Sequence, residues 1–166
     1  MKLSGLFLSM IAIFSLGCSK AQQSMSLNTT FDDRFPTISY AGVTEQAEND
    51  AFFNNTETAL IGQVVVAWTF FGTQVFLFGA LGEPNNGSFT NQTAWVIRVD
   101  NEADITVDLS SLIPFERQLL FASRVVPNGT HTIDMLNMLP GRQLLIDCFV
   151  VTSLETESMI EAVDVM

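Results

Sequence analysis

Residues 63–79, QVVVAWTFFGTQVFLFG, constrain the fold more than any other stretch of the chain. β-branched and aromatic residues fill both halves, and Gly72-Thr73 supplies a tight turn between them. Such residues suit a pleated, half-buried surface. Alternation places Val64, Val66, Trp68 and Phe70 on one side of the first half, and Val75 and Leu77 on one side of the second. Two strands separated by the tight Gly72-Thr73 turn follow from this pattern.

The same signals recur along the chain. PTISYAG (36–42), TAWVIRVD (93–100), ADITVDL (103–109), RQLLFASRV (117–125), HTIDMLN (131–137) and QLLIDCFVV (143–151) complete about eight expected strands. The 80–92 segment, ALGEPNNGSFTNQ, is a polar loop. Helix signals are weak throughout. Many short strands without helical crossovers predict an all-β, antiparallel β-sandwich of jelly-roll type. Its expected core adds Trp95, Ile97, Val99, Ile133, Leu144 and Ile146 to the six residues above.

The chain starts with a secretory layout: Lys2, an apolar run from Leu3 to Leu16, then Ser19-Lys20-Ala21. The run is shorter than the roughly 20 residues of a membrane span. A lipoprotein signal at Cys18 would want an aliphatic residue where Ser15 stands, so cleavage is expected after Ala21. The expected organisation is a signal peptide at 1–21, an N-terminal segment at 22–29, one sandwich domain at 30–153 and an acidic tail at 154–166. Both lysines leave with the signal, which takes the formal charge from −11 to −13. The five arginines left are scattered, so nucleic acid and anionic membranes are poor partners. Five of the ten asparagines (Asn28, Asn54, Asn86, Asn91 and Asn128) stand in N-x-S/T sequons, as suits a eukaryotic secretory glycoprotein. Asn86 and Asn91, in the polar loop, rank above Asn128.

Catalytic patterns are absent from the sequence. The single histidine, His131, follows an Asn-Gly turn, where a bond to a neighbouring loop outweighs a triad role. Asp32, Asp33 and Asp100 are loop or strand-end residues, and nothing in the sequence places any two of them as the carboxylate pair of a hydrolase. Cys148 is the one cysteine beyond the signal and reads as a small buried hydrophobe. Aromatic residues are the other possible chemistry, because flat rings stack on sugar C–H groups. Trp68 and Trp95 belong to the core pattern. Tyr40 and the loop residues Phe52, Phe53 and Phe89 are the candidate ligand-binding rings. Asp147, inside the apolar run LLIDCFVV, needs a hydrogen-bond partner, a counter-ion or a metal if it is buried. Acceptance of bonds from backbone N–H groups or from a nearby Thr or Arg is the expectation.

In order along residues 31–152, FDDRFPTISYAG, VVVAWTFFGTQVFLFG, WVIRVDNE, LLFASRVVPNGTHTIDML and LLIDCFVV resemble the galactose-binding-domain-like jelly rolls of secreted and membrane-anchored fungal proteins. The matching positions are Asp32, Asp33, Tyr40, Gly42, Phe71, Gly72, Thr73, Val75, Asp100, Gly129, His131, Thr132 and Asp147. The chain departs from that pattern by lacking a tryptophan after Tyr40-Ala41-Gly42 and by placing Cys148 where an aromatic is usual. Such relatives often continue into a membrane span, whereas this sequence stops at Met166, which suggests a soluble secreted form. The resemblance implies the sandwich fold and carbohydrate binding. It also implies a structural-calcium alternative, in which Asp32 or Asp33 on the first strand and Asp147 on the last share an ion. The expected function is a secreted, non-catalytic, glycan-binding module. The alternatives are a structural or effector-like protein that binds another protein, and a stand-alone accessory domain of a hydrolase.

Overall fold

The computed structural model describes residues 24–84, 93–100, 102, 105–108, 116–140 and 142–156. Among these residues nine strands follow one another: β1 (Ser24–Asp32), β2 (Ser39–Glu48), β3 (Thr56–Gly72), β4 (Gln74–Pro84), β5 (Thr93–Val99), β6 (Ile105–Asp108), β7 (Gln118–Ala122), β8 (Gly129–Pro140) and β9 (Arg142–Thr156). A 3-10 turn, Phe53–Asn55, precedes β3. Every strand pair is antiparallel.

The strand order β6-β5-β8-β3-β9-β4-β7 runs through β3, with β2 paired to β3 and β1 paired to β9. β3 is the hinge of the sandwich. Its first half, Thr58–Leu60, pairs with β9, while its second half, Val65–Gly72, pairs with β8. Gly62, at φ +75°, lies between the two sections. Opposite it, Gly42 sits at φ +138° in a β2 bulge, where an added Cβ would stand 2.7 Å from the Gln63 carbonyl oxygen. Glycine adopts these conformations without steric cost, which lets β3 pass from one layer to the other.

The layers meet around Trp68. Its ring lies 5.0 Å from Phe31, 5.7 Å from Phe70 and 5.1 Å from Phe149, centroid to centroid, and its indole N–H donates to Thr37 Oγ1 at 3.1 Å. All twelve residues expected in the core from alternation are buried in one cluster, joined by Phe149, Val151, Met135 and others. Both tryptophans are core residues.

The expected strands at 63–71 and 74–79 are the second half of β3 and the first half of β4. β3 starts earlier, at Thr56, and β4 runs on to Pro84. The segment expected as a polar loop from 80 thus begins as strand, with Ala80 and Leu81 buried and paired to Leu145 and Leu144 of β9. Other boundaries differ too. The first expected strand, 36–42, starts at Ser39, because Phe35 N–H donates to the Asp32 carbonyl and Ile38 N–H to the Phe35 carbonyl, forming turns around Pro36. The segment expected ahead of the domain, 22–29, supplies most of β1, which pairs with β9 over nine positions. β9 in turn runs to Thr156, past the expected domain end at 153. SMSLNTTFD has little apolar content because an edge strand is held mainly by ladder hydrogen bonds, and here Phe31 is the residue that packs against the core. The signal segment, the far end of the tail, Phe89, Asn86 and Asn91 lie outside the described residues.

Candidate functional site

Asp147 occupies a β-bulge. β4 pairs Phe78 with Cys148 and then Gly79 with Ile146, which leaves Asp147 without an opposite residue. The extra residue shifts the side-chain phase of β9. Phe149 and Val151 reach the core beyond the bulge, Ile146 and Leu144 reach it before, and Asp147 and Cys148 fall together on the other side.

That side is covered. Asp147 has no exposed side-chain surface, and its carboxylate is met by three donors. Phe53 N–H donates to Oδ1 at 2.5 Å, and Arg117 Nε donates to Oδ2 at 2.5 Å. The Cys148 thiol donates to Oδ2 at 3.1 Å, and Arg117 reaches Sγ at 3.4 Å. The guanidinium also lies 5.0 Å above the Phe78 ring. Burial, reinforced by the neighbouring carboxylate, pushes the Cys148 thiol up to about 12. A buried, protonated thiol is a poor nucleophile.

Asp33 lies next to this arrangement. Its N–H donates to the Asp147 carbonyl at 3.1 Å, and its buried carboxylate accepts from Thr56 Oγ1 at 2.7 Å and Thr58 Oγ1 at 2.5 Å. No cation offsets that burial among its described contacts, and burial raises the Asp33 carboxyl above its ordinary range. Asp32 accepts from Arg34 N–H at 2.9 Å and Asn54 Nδ2 at 2.7 Å. Burial works against its ionisation, but these hydrogen bonds hold its carboxyl below the usual range. Tyr40 packs against the core and donates its hydroxyl to the Asp33 carbonyl at 2.7 Å. Burial, then the nearby aspartates, raise its phenol.

The calcium alternative for Asp32, Asp33 and Asp147 does not fit these residues. Calcium takes six to eight oxygen ligands. Here each carboxylate faces hydrogen-bond donors, and the cation at Asp147 is a guanidinium. Among the described residues, no group of three His, Cys, Asp or Glu side chains is arranged to hold a metal ion.

The candidate rings are largely occupied too. Phe52 is 6% exposed and packs with Ala59, Ala80 and Leu145. It plugs the sandwich. Phe53 is half-buried and contributes its backbone to Asp147. Of the sequon asparagines, Asn28 is exposed on β1 and accepts from Thr152 Oγ1 at 2.7 Å. Asn54 is engaged by Asp32, and Asn128 exchanges two 3.1 Å hydrogen bonds with the Leu154 backbone.

A different surface is open. On the outer side of β2, β3, β8, β5 and β6, the register sets Ala41, Val65, Leu136, Val96 and Thr106 in one row. Ser39, Ala67, Asp134 and Arg98 form the next, then Thr69 beside Thr132 and Phe71 beside Thr130. Phe71 is 61% exposed, the most exposed aromatic ring among the described residues. Alternation carries the signal for it: with Val64, Val66, Trp68 and Phe70 inward, Phe71 falls on the solvent side, where a polar residue is the norm.

At one end of this sheet, His131 Nδ1 lies 2.7 Å from Asp100 Oδ2, and Nε2 lies 2.7 Å from the Pro127 carbonyl oxygen. An Asp–His pair is two parts of a hydrolytic triad, but a carbonyl takes the place a nucleophilic hydroxyl would need.

No family model matches the chain, and no curated protein matches it. Solved structures do. A family two carbohydrate esterase from Cellvibrio japonicus is 16% identical at a TM-score of 0.55, over 80% of this chain and 36% of that one. The chain thus spans about a third of the esterase's length. A family 35 carbohydrate binding module from Clostridium thermocellum is 8% identical at a TM-score of 0.52, over 76% of this chain and 97% of that one. The CBM36-1 domain of a multidomain xylanase from the hindgut metagenome of Trinervitermes trinervoides is 18% identical at 0.50, over 78% and 97%. The likeness is one of fold: an antiparallel β jelly roll like that of these two carbohydrate-binding modules.

Proposed function

We propose that the chain is a secreted, non-catalytic module that binds a neutral glycan on the open sheet face around Phe71. The observation that carries this reading is an aromatic ring 61% exposed on a face lined by Thr69, Thr130, Thr132, Asp134 and Arg98. A ring of this kind stacks on pyranose C–H groups, while hydroxyl, carboxylate and guanidinium groups take the sugar hydroxyls. The formal charge of −11 favours neutral over acidic sugars. The near full-length likeness to two carbohydrate-binding modules supports the same reading.

A glycan array with the wild type, Phe71→Thr and Tyr40→Phe tests it. Wild type and Tyr40→Phe should retain the same glycans, and Phe71→Thr should lose them. Tyr40 is the control because its hydroxyl serves the Asp33 carbonyl. No retention by the wild type at millimolar glycan would sink the proposal and favour a protein partner.

A further inference from the structure

The turn after β5 and the loop before β8 are joined through one side chain. Asp100 stands at φ +56°, a left-handed conformation that aspartate tolerates better than most residues. Its N–H donates to the Thr132 carbonyl at 2.9 Å, and its Oδ1 accepts from Thr132 N–H at 2.9 Å. Its Oδ2 and the Pro127 carbonyl then hold the two nitrogens of His131, each at 2.7 Å. The ring lies 5.6 Å from Phe70, beside which Phe71 pairs with Thr130.

Both partners of the imidazole are acceptors. A neutral imidazole carries one N–H and one lone pair. With the proton on Nδ1, the Nε2 lone pair would face the Pro127 oxygen. With the proton on Nε2, the Nδ1 lone pair would face a carboxylate. The imidazolium alone donates to both. Among the described residues, Asp100 is the titratable group in contact with the ring. Phe70 from β3 and the Pro127 carbonyl carry no charge, and Glu102, on the same turn as Asp100, is paired with Arg124.

We propose that His131 is a pH-operated latch: as an imidazolium it ties the Asp100 turn to the Pro127–Gly129 loop and fixes the Phe71 end of the open sheet face, and on losing its proton it releases one of the two. The latch stands on the geometry; its consequence for ligand rests on the glycan-binding reading above. Burial works against the charged ring, but Asp100 and the Pro127 carbonyl outweigh it and raise His131 above its ordinary 6.5. The contribution to stability is therefore fully present below pH 6.5 and is lost as pH rises through the raised value.

His131 is the single histidine, so long-range nitrogen–proton NMR of the ligand-free protein gives one imidazole pattern to follow from pH 5 to 9. We expect a midpoint above 6.5, with the amides of Asp100, Gly129, Thr130 and Phe71 shifting at the same midpoint. Asp100→Asn, which keeps an acceptor for Thr132 N–H, should lower that midpoint. A midpoint at or below 6.5, a neutral tautomer as the main species at pH 6.5, or amides that stay fixed would overturn the latch. Glycan retention should fall across the same interval, and flat retention there would overturn the link to the binding face. Because the resonances are read without ligand, a failed glycan screen and a failed latch are separate results.

Discussion

The outer faces of the two layers treat their side chains in opposite ways. On β9, residues 144–149 are all buried, because the inner side meets the core and the outer side is covered by Phe52, Phe53 and Arg117. On β3, residues 63–72 alternate, with Val64, Val66, Trp68 and Phe70 inside and Val65, Thr69 and Phe71 outside. The difference shows where each face spends its polar groups. On the covered face they satisfy one another, as in the Asp147, Arg117 and Phe53 N–H arrangement. On the open face Thr69, Thr132 and Asp134 stand in solvent, where a ligand can reach them.

The largest expected effect separates two aspartates. Asp147→Ala leaves the Phe53 N–H without its acceptor and Arg117 without its counter-ion. Arg117 is 39% exposed and regains water, so the loss is smaller than for a fully buried ion pair, about 2–3 kcal/mol. Asp134→Ala, on the open face, should cost within about 0.5 kcal/mol. Urea unfolding of both measures the gap. Equal losses would mean that the covered face contributes no more than the open one, and the comparison would break.

Much of this division was legible in the sequence. Alternation in VVVAWTFF and TAWVIRV placed the core correctly because a half-buried strand has a period of two. The apolar run LLIDCFVV read as a buried strand, and a buried Asp147 in it demanded partners. Arg117 was not legible as that partner, since 30 residues separate the two and a bulge sets the direction of Asp147. β1 was missed because its ladder to β9 needs no apolar pattern. Phe52 looked like a ligand ring because a polar loop in sequence says nothing of which ring folds inward, and Tyr40 because the short first strand leaves open which of its sides faces the core.

A finer test sits within the covered face. Asp33 accepts from two threonine hydroxyls, whereas Asp147 has a guanidinium. Asp33→Asn should therefore cost about 1 kcal/mol or less at pH 7, because an amide also bonds hydroxyls and removes a buried charge. The sign with pH is distinctive. Burial raises the folded Asp33 carboxyl above 3.8, so the folded state binds the proton more tightly than the unfolded chain. Its contribution is then greatest below pH 3.8 and declines as pH rises through the raised value. Wild type minus Asp33→Asn stability, measured by urea from pH 3 to 7, should fall with rising pH. A difference that grows instead would show Asp33 to be held as a stabilised carboxylate, like its neighbour Asp32.

The smallest expected change in stability is the one that matters most for function. Phe71→Thr keeps a β-branched residue on β3 and removes a ring that is already largely in water. Little buried apolar surface is lost, and the Gly72-Thr73 turn beyond it is held by its own bonds, Thr73 N–H and Oγ1 both donating to the Thr152 carbonyl. Its melting temperature should therefore stay near that of the wild type, with a stability change within about 0.5 kcal/mol. A core ring behaves otherwise: truncating a buried Phe or Trp to Ala costs about 3–5 kcal/mol. Phe71 is thus a place where loss of binding can be read without loss of fold. A stability loss of core size at Phe71→Thr would show that the ring is packed, and the open face would no longer be the place to look for a ligand.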